Sequence, residues 1–96
     1  MYGTIARMRL RPGSAEKMRE LMDEYDRTKI PGHRGEIVYR SDQNPDEYFL
    51  AVVFESKEAY RANANSPEQH QRYLKMRELL AADPEWHDGE IVHADL

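Results

Sequence analysis

The sequence predicts an α+β domain of the ferredoxin-like kind, with the order βαββαβ and a four-stranded antiparallel sheet. Three observations predict it. Several short segments alternate apolar and polar residues at the period of two that is typical of strands. Between them, apolar residues recur at the spacing of an amphipathic helix. The chain of 96 residues has no cysteine and is long enough for one domain, so residues 1–96 are interpreted as a single domain.

The first strand and helix occupy residues 2–28. Residues 2–10 alternate, with Thr4, Ala6 and Met8 on one face and Ile5 among arginines on the other. Pro12-Gly13 ends this strand, and Ser14 is predicted to be the N-cap of a helix over residues 14–28. The apolar stripe of that helix consists of Met18, Leu21, Met22 and Tyr25. The turn Pro31-Gly32 then separates the helix from the next strand.

The second and third strands are predicted over residues 35–41 and 48–54. The loop between them is rich in Asp, Asn and Pro, which favour a hairpin turn. The third strand is apolar on both faces, which is unusual for an antiparallel sheet that has one wet side. An apolar partner is therefore expected to cover each face.

The remaining elements are a broken helix and a last strand. Ser56 is predicted to cap a helix over residues 56–63, and Ser66 to cap another over residues 66–82. Pro67 and Gln69 after Ser66 complete the pattern of a capping box. The apolar stripe of this helix consists of Tyr73, Met76 and Leu80. Residues 86–94 are predicted to form the last strand.

The connections predict which face of the sheet stays open. Two right-handed crossovers put both helical segments on one face of a sheet with strand order 4-1-3-2. The other face then shows Ile5, Phe49, Ala51 and Val53, which is too apolar for water in so small a protein. A second copy is the simplest cover, so the sequence predicts a homodimer through the sheet face.

Charge and hydropathy exclude other classes. The net charge is −4 and basic residues alternate with acidic ones, so there is no basic stripe for nucleic acid. No apolar run approaches the roughly 20 residues that span a bilayer, so no membrane partner is expected. The first residues lack the pattern of a signal peptide, and a cytoplasmic location is predicted.

Five short segments, in their order and spacing, resemble the antibiotic biosynthesis monooxygenase (ABM) domains. They are the first strand and turn at residues 5–13, Pro31-Gly32, residues 38–41, residues 54–60 and Ser66-Pro67. The resemblance covers nearly the whole chain. It implies a dimeric α+β barrel with one pocket per subunit between sheet and helices. Some members oxygenate quinols or anthrone-type aromatics with no metal or flavin, and relatives degrade haem.

Four positions depart from the patterns of the family and its relatives. Members often carry a histidine three residues before the Ser-Pro pair, where this chain has Asn63, and a glutamate where it has Val52. Haem-degrading relatives use an asparagine, a tryptophan and a histidine at positions that resemble Ala6, Asn63 and Tyr73 here. The resemblance therefore disfavours haem degradation, and neither a cofactor nor a metal is expected.

Oxygenation without a cofactor needs an apolar pocket, a group that takes a proton and donors for developing charge. The candidates for this chemistry are Asn63, Tyr73 and His33, and imidazole is the most competent base among them. The pocket is predicted between the helices and the strand face of Thr4, Ala6 and Met8. The candidates for substrate binding are Thr4, Ala6, Met8, Met22, Tyr25, Tyr60, Met76 and Trp86.

Each candidate also has a structural interpretation. Tyrosines at helical spacing commonly lie in the core, methionines fill gaps in cores, and Asn63 suits a helix C-cap. His87 and His93 lie about 20 Å apart along a predicted strand, too far to share a metal ion. Two functions stay open: a monooxygenase of small phenolic or quinol-type aromatics, and a non-enzymatic ligand-binding or structural dimer of the same fold.

Overall fold

The computed structural model describes residues 1–95, and these form four strands and three helices. The strands are β1 (Tyr2–Arg9), β2 (His33–Arg40), β3 (Glu47–Phe54) and β4 (Glu85–Glu90). The helices are α1 (Ala15–Arg27), α2 (Lys57–Ala64) and α3 (Pro67–Arg77). This order confirms the predicted α+β ferredoxin-like fold, with the second helix broken in two. The predicted domain includes Leu96, which lies outside the described residues, and its boundaries stay a prediction.

The four strands form one antiparallel sheet in the order β2-β3-β1-β4, which is the predicted order. The central pair β1 and β3 is in register from Tyr2 opposite Phe54 to Arg9 opposite Glu47. Cross-strand partners share a face of the sheet. Thr4 therefore points to the same side as its partners Val52 and Asp88, which is the side covered by the helices.

The core occupies one end of the space between helices and sheet. Its buried cluster consists of Met8, Leu10, Met18, Tyr48 and Leu80. In contrast, α2 and α3 contain no buried residue, although both face the sheet. The helical layer is thus packed tightly against the end of β1 and loosely above its beginning. No helix within residues 1–95 has the length and apolar character to span a membrane.

The face that the helices leave open carries apolar side chains, as the strand pattern predicts. Ile5 and Tyr39 are each 59% exposed there, and the Tyr39 ring stacks on Phe49 with 5.3 Å between ring centroids. Charged groups lie beside this apolar surface. Arg7 forms an ion pair with Glu47 at 2.6 Å and a longer one with Glu85 at 3.4 Å.

Two of the three predicted helix caps are confirmed. Ser56 Oγ accepts a hydrogen bond from the backbone N–H of Ala59, and Ser66 Oγ accepts one from that of Gln69, both at 3.1 Å. Ser14 also occupies the predicted N-cap position of α1, but its side chain makes no cap hydrogen bond. Its backbone, at φ −95° and ψ 0°, is already helical, whereas a capping residue is normally extended.

Three predicted element boundaries also need correction. Strand β2 begins at His33 rather than at residue 35, because His33 pairs with Phe54 across a bulge. Helix α3 ends at Arg77 rather than at residue 82. Leu80 instead pairs with Leu10, and the N–H of Ala81 donates to the carbonyl of Arg9 at 2.9 Å. Strand β4 ends at Glu90 rather than at residue 94, and the last backbone contact beyond it is the N–H of Ile91, which donates to the carbonyl of Met1 at 3.0 Å.

Candidate functional site

A cavity of about 560 Å³ lies between the sheet and the helices, with lining residues from all seven elements. This is the place predicted from the sequence. Nine of the eleven predicted site residues line it, and their roles stay predictions. They are Thr4, Met8, Met22, Tyr25, Tyr60, Asn63, Tyr73, Met76 and Trp86.

The other two predicted site residues lie outside the cavity wall. Ala6 is 0% exposed and is not among the lining residues, since it lies within the sheet opposite Trp86 and Leu50. His33 lines a second, more open cleft of about 910 Å³ between α1 and the edge strand β2. Met22, Tyr25 and Glu36 line both spaces, so the cleft and the cavity adjoin.

A polar group lies where the helix is broken. The carboxamide Oδ1 of Asn63 accepts a hydrogen bond from Arg72 Nη2 at 3.3 Å, and Gln69 Oε1 accepts one from Arg72 Nε at 3.1 Å. The guanidinium lies 5.8 Å from the centre of the Tyr25 ring. Asn63 does not act as the C-cap of α2, because that position belongs to Asn65. Its side chain is instead held in the cavity wall.

A second polar group lies where β1 meets β4. The Tyr60 hydroxyl donates a hydrogen bond to Asp88 Oδ1 at 2.8 Å. Burial raises the pKa of Tyr60 to about 12, and the neighbouring carboxylate adds to this rise, so the phenol keeps its proton at neutral pH. The Thr4 hydroxyl, in a residue 5% exposed, finds no hydrogen-bond partner within residues 1–95. A buried hydroxyl without a partner is costly unless a ligand or water satisfies it.

Glu36 is a titratable cavity residue that sequence reasoning missed. Burial first, and the neighbouring Asp26 carboxyl second, raise its pKa to about 8. Glu36 therefore holds a proton at neutral pH. The nearby Tyr25 also stays protonated, because burial first and the Glu36 charge second raise its pKa to about 12.

The imidazole of His33 takes up a proton less readily than that of an exposed histidine. Burial lowers the pKa of its imidazole, which favours the neutral ring. That ring meets Tyr25 and Phe54 edge-on, with centroid distances of 5.6 and 5.4 Å. The structure thus places His33 beside the cavity, packed between aromatic rings rather than directed at a ligand within it.

The period of each strand or helix indicates that the residues missed by sequence reasoning face the cavity. Glu36 lies two positions before Val38 on one strand, so both face the helices. Asp88 is related to Trp86 in the same way. Arg72 shares a helix face with Gln69 and Met76. In each case the position of the charged side chain on its strand or helix is the one that faces the cavity.

The chemistry available in the cavity is that of proton transfer and hydrogen bonding. Acidic side chains come from Glu24, Glu36 and Asp88, basic ones from His70, Arg72 and Lys75, and hydroxyls include those of Thr4 and Tyr60. Among residues 1–95, no group of three or more His, Cys, Asp or Glu side chains is arranged to hold a metal ion. The expectation that no cofactor is needed stays a prediction.

The fold and the cavity define a class of protein: a small α+β domain with a largely apolar cavity between one sheet and its helices. The family model of the antibiotic biosynthesis monooxygenases matches residues 1–74, from β1 into α3. The chain belongs to this family, which confirms the resemblance seen in the sequence. No curated protein matches the chain significantly.

Several solved structures share the fold. A protein of Chloroflexus aurantiacus J-10-fl, named as an antibiotic biosynthesis monooxygenase, is 27% identical with a TM-score of 0.79, covering 98% of this chain and 95% of its own. A protein of Deinococcus radiodurans with the same designation is 14% identical with a TM-score of 0.81, covering 100% and 97%. SnoaB of Streptomyces nogalater, a cofactor-independent oxygenase, is 16% identical with a TM-score of 0.78, covering 97% and 94%. At such low identities, the last two show the fold alone.

Proposed function

We propose that this protein is a cofactor-independent monooxygenase of small phenolic or quinol-type aromatic molecules, which bind in the cavity between sheet and helices. The observation that supports it best is the cavity itself, which combines apolar walls with a few oriented polar groups. Membership of the antibiotic biosynthesis monooxygenase family and the similarity in fold to a cofactor-independent oxygenase point the same way.

The proposed reaction uses the substrate itself as the reductant of dioxygen. A base removes a proton from the phenol or from the carbon next to it, and the resulting anion transfers an electron to dioxygen. The two radicals combine into a peroxide at that carbon, which takes up a proton and loses water to leave a carbonyl group. One oxygen atom thus enters the product and the other leaves as water.

The polar groups of the cavity fit these steps. Glu36 in its ionised form is the proposed base in place of His33, because its carboxyl lines the cavity and its pKa of about 8 is closer to that of a phenol than the pKa of an ordinary carboxyl. This form gains population as the pH rises toward 8, so the rate of the reaction should rise over the same range. Asn63 and Arg72 are the proposed donors to the developing negative charge. Tyr73 stays a candidate for contact with the substrate.

One observation favours the alternative of a binding domain without enzymatic activity. At neutral pH Glu36 and Tyr25 hold their protons, and the Asp88 carboxylate is engaged by Tyr60. A ligand would then meet few free bases. Such a domain would bind a flat aromatic molecule and leave it unchanged.

Oxygen uptake with a panel of hydroquinones and anthrones separates the two functions. We expect at least one substrate to consume dioxygen and gain one oxygen atom as a carbonyl group, as when an anthrone becomes an anthraquinone, at a rate proportional to protein concentration. Glu36→Gln should lower that rate at least tenfold, which corresponds to about 1.4 kcal/mol. Asp42→Asn, which removes a carboxylate from the exposed β2–β3 turn, is the matched control. Binding of these compounds without any oxygen uptake would favour the binding domain.

The same proposal includes a homodimer through the open sheet face, located in the cytoplasm as predicted from the sequence. Three large side chains on this face are strongly exposed in one protomer. They are Ile5, Ile37 and Tyr39. Half-buried Phe49, Ala51 and Val53 extend the same surface along β3. A two-fold axis would bring this surface of one protomer against the same surface of a second protomer, which is a common way for a small domain to cover an apolar sheet.

A further inference from the structure

Arg72 lies in the cavity wall, and its positive charge has no counter-ion within residues 1–95. Within residues 1–95 its side chain forms no ion pair, whereas Arg7, Arg34, Lys75 and Arg77 each have a carboxylate partner. The two hydrogen-bond acceptors of Arg72 are the neutral carboxamides of Asn63 and Gln69. Arg72 itself is half-buried.

This arrangement holds the guanidinium in place but does not neutralise it. Two of its five N–H donors are used by Asn63 and Gln69, and the others remain for a ligand. The Tyr25 ring at 5.8 Å supports the cation through its π face. Three carboxyl groups line the cavity, and each is engaged elsewhere or neutral. Glu24 pairs with Lys75 at 3.6 Å, Asp88 accepts a hydrogen bond from Tyr60, and Glu36 holds a proton at neutral pH because its pKa is raised to about 8, chiefly by burial.

A cation partly removed from water is stabilised most by an anion that forms hydrogen bonds with it. The cavity that Arg72 lines also has apolar walls, and these include Met22, Leu50 and Met76. A ligand that suits both features has a flat apolar body and an anionic oxygen at one edge. A small hydrophilic anion would leave the apolar wall without a partner.

We propose that Arg72, positioned by Asn63 and Gln69, binds an anionic oxygen of an aromatic ligand, so that the cavity selects aromatic acids or ionised phenols over neutral aromatics. The inference rests on the proposed function for the aromatic character of the ligand. It goes further by assigning the charge of the ligand and the residue that recognises this charge.

Two matched ligands test the charge. Binding of 1-naphthoate and of 1-naphthamide, which has nearly the same shape without the charge, is measured by isothermal titration calorimetry on the full chain. We expect 1-naphthoate to bind at least tenfold more tightly. A titration of 1-naphthol below and above the pH of its own ionisation separates the two sources of charge. Tighter binding of the ionised form extends the site to phenolates, and equal binding of both forms restricts it to carboxylates.

Three variants assign the effect to Arg72. Arg72→Met removes the charge and keeps the length of the side chain, so the preference for 1-naphthoate should disappear. Asn63→Asp puts a carboxylate at the atom that now accepts from Arg72 Nη2, so it should abolish the preference by supplying an internal counter-ion. Arg61→Met removes a charge from an exposed position on α2 outside the cavity and should leave the preference intact.

The outcomes separate this inference from the proposed function. Equal affinity of the wild-type protein for 1-naphthoate and 1-naphthamide, or a full preference retained by Arg72→Met, overturns the anion site. Absence of binding by both ligands overturns it as well. Oxygen uptake with neutral hydroquinones measures the proposed reaction independently, so it can succeed where the anion site fails. Asn63→Asp is expected to unfold no earlier than the wild type, which excludes misfolding as the cause of a lost preference.

Discussion

A half-buried carboxyl between α1 and β2 makes the stability of the protein depend on pH. In the folded state the pKa of Glu36 is about 8, against an ordinary value of 4.5, chiefly because of burial. Between these values the folded state holds a proton that the unfolded state has lost. The contribution of Glu36 thus favours folding below 4.5 and is lost as the pH rises through about 8. The neighbouring titratable groups are Tyr25 and Asp26 on α1, His33 on β2 and Arg72 on α3.

Glu36→Gln should flatten this dependence, because a carboxamide has no proton to lose. Thermal unfolding followed by circular dichroism is expected to show a variant Tm that changes less than that of the wild type across this range. Above the pKa of Glu36 the variant should be the more stable protein. Glu58→Gln, at an exposed position on α2, is the control and should follow the wild type. A variant that loses Tm with rising pH as steeply as the wild type contradicts the role of Glu36.

At the same scale, the sequence predicts apolar site residues better than charged ones. Met22, Tyr60 and Met76 line the cavity as expected, since an apolar stripe at helical spacing points to whatever the helix covers. Arg72 and Glu36 were not predicted, because a charged side chain is exposed in most positions. Whether it is buried depends on residues distant in sequence, such as Asp26 for Glu36 and Asn63 for Arg72.

At the scale of elements, the two serines predicted to begin α1 and α3 differ in what they contribute. Ser66 Oγ accepts from Gln69 N–H at 3.1 Å and donates to the carbonyl of Asn63 at 2.8 Å, so it ties α3 to the end of α2. Ser66→Ala should lower the free energy of unfolding by about 1 kcal/mol or somewhat more. Ser14→Ala should change it little, because Ser14 makes no side-chain cap bond. Urea unfolding of both variants measures this difference, and equal effects would contradict the cap assignment.

Element order and sheet order follow from local patterns, whereas one helix end does not. The alternation in β1 and β3, together with the handedness of the crossovers, is enough to place both at the centre of the sheet. Nothing local ends α3 at Arg77, since the apolar stripe continues to Leu80. Leu80 leaves the helix because it pairs with Leu10 and is completely buried in the core. This tertiary contact joins residues seventy positions apart, beyond the reach of any periodic pattern.

At the scale of the whole molecule, one protomer leaves its sheet half-covered. The helices occupy one face, and Ile5 lies near the middle of the other, between Ala51 of β3 and His87 of β4. The stacked pair of Tyr39 and Phe49 lies on the same face. An isolated domain of this size buries a modest share of its surface, so covering this face would add stability that the protomer lacks. The proposed dimer therefore links the fold to its stability.

Ile5→Lys tests the dimer with little effect on the fold of the protomer. Ile5 is 59% exposed, so a lysine there can extend its stem over the sheet and keep its ammonium in water. In a dimer the same ammonium would be buried without a partner, at a cost of several kcal/mol. Light scattering through a dilution series should give twice the chain mass for the wild type and a single chain mass for the variant. Leu74→Lys, at a site 43% exposed on α3, makes the same chemical change on the helical side and should remain dimeric.

A wild-type protein that scatters as one chain at every concentration would contradict the dimer. If Ile5→Lys keeps the dimeric mass, the two copies meet through another surface.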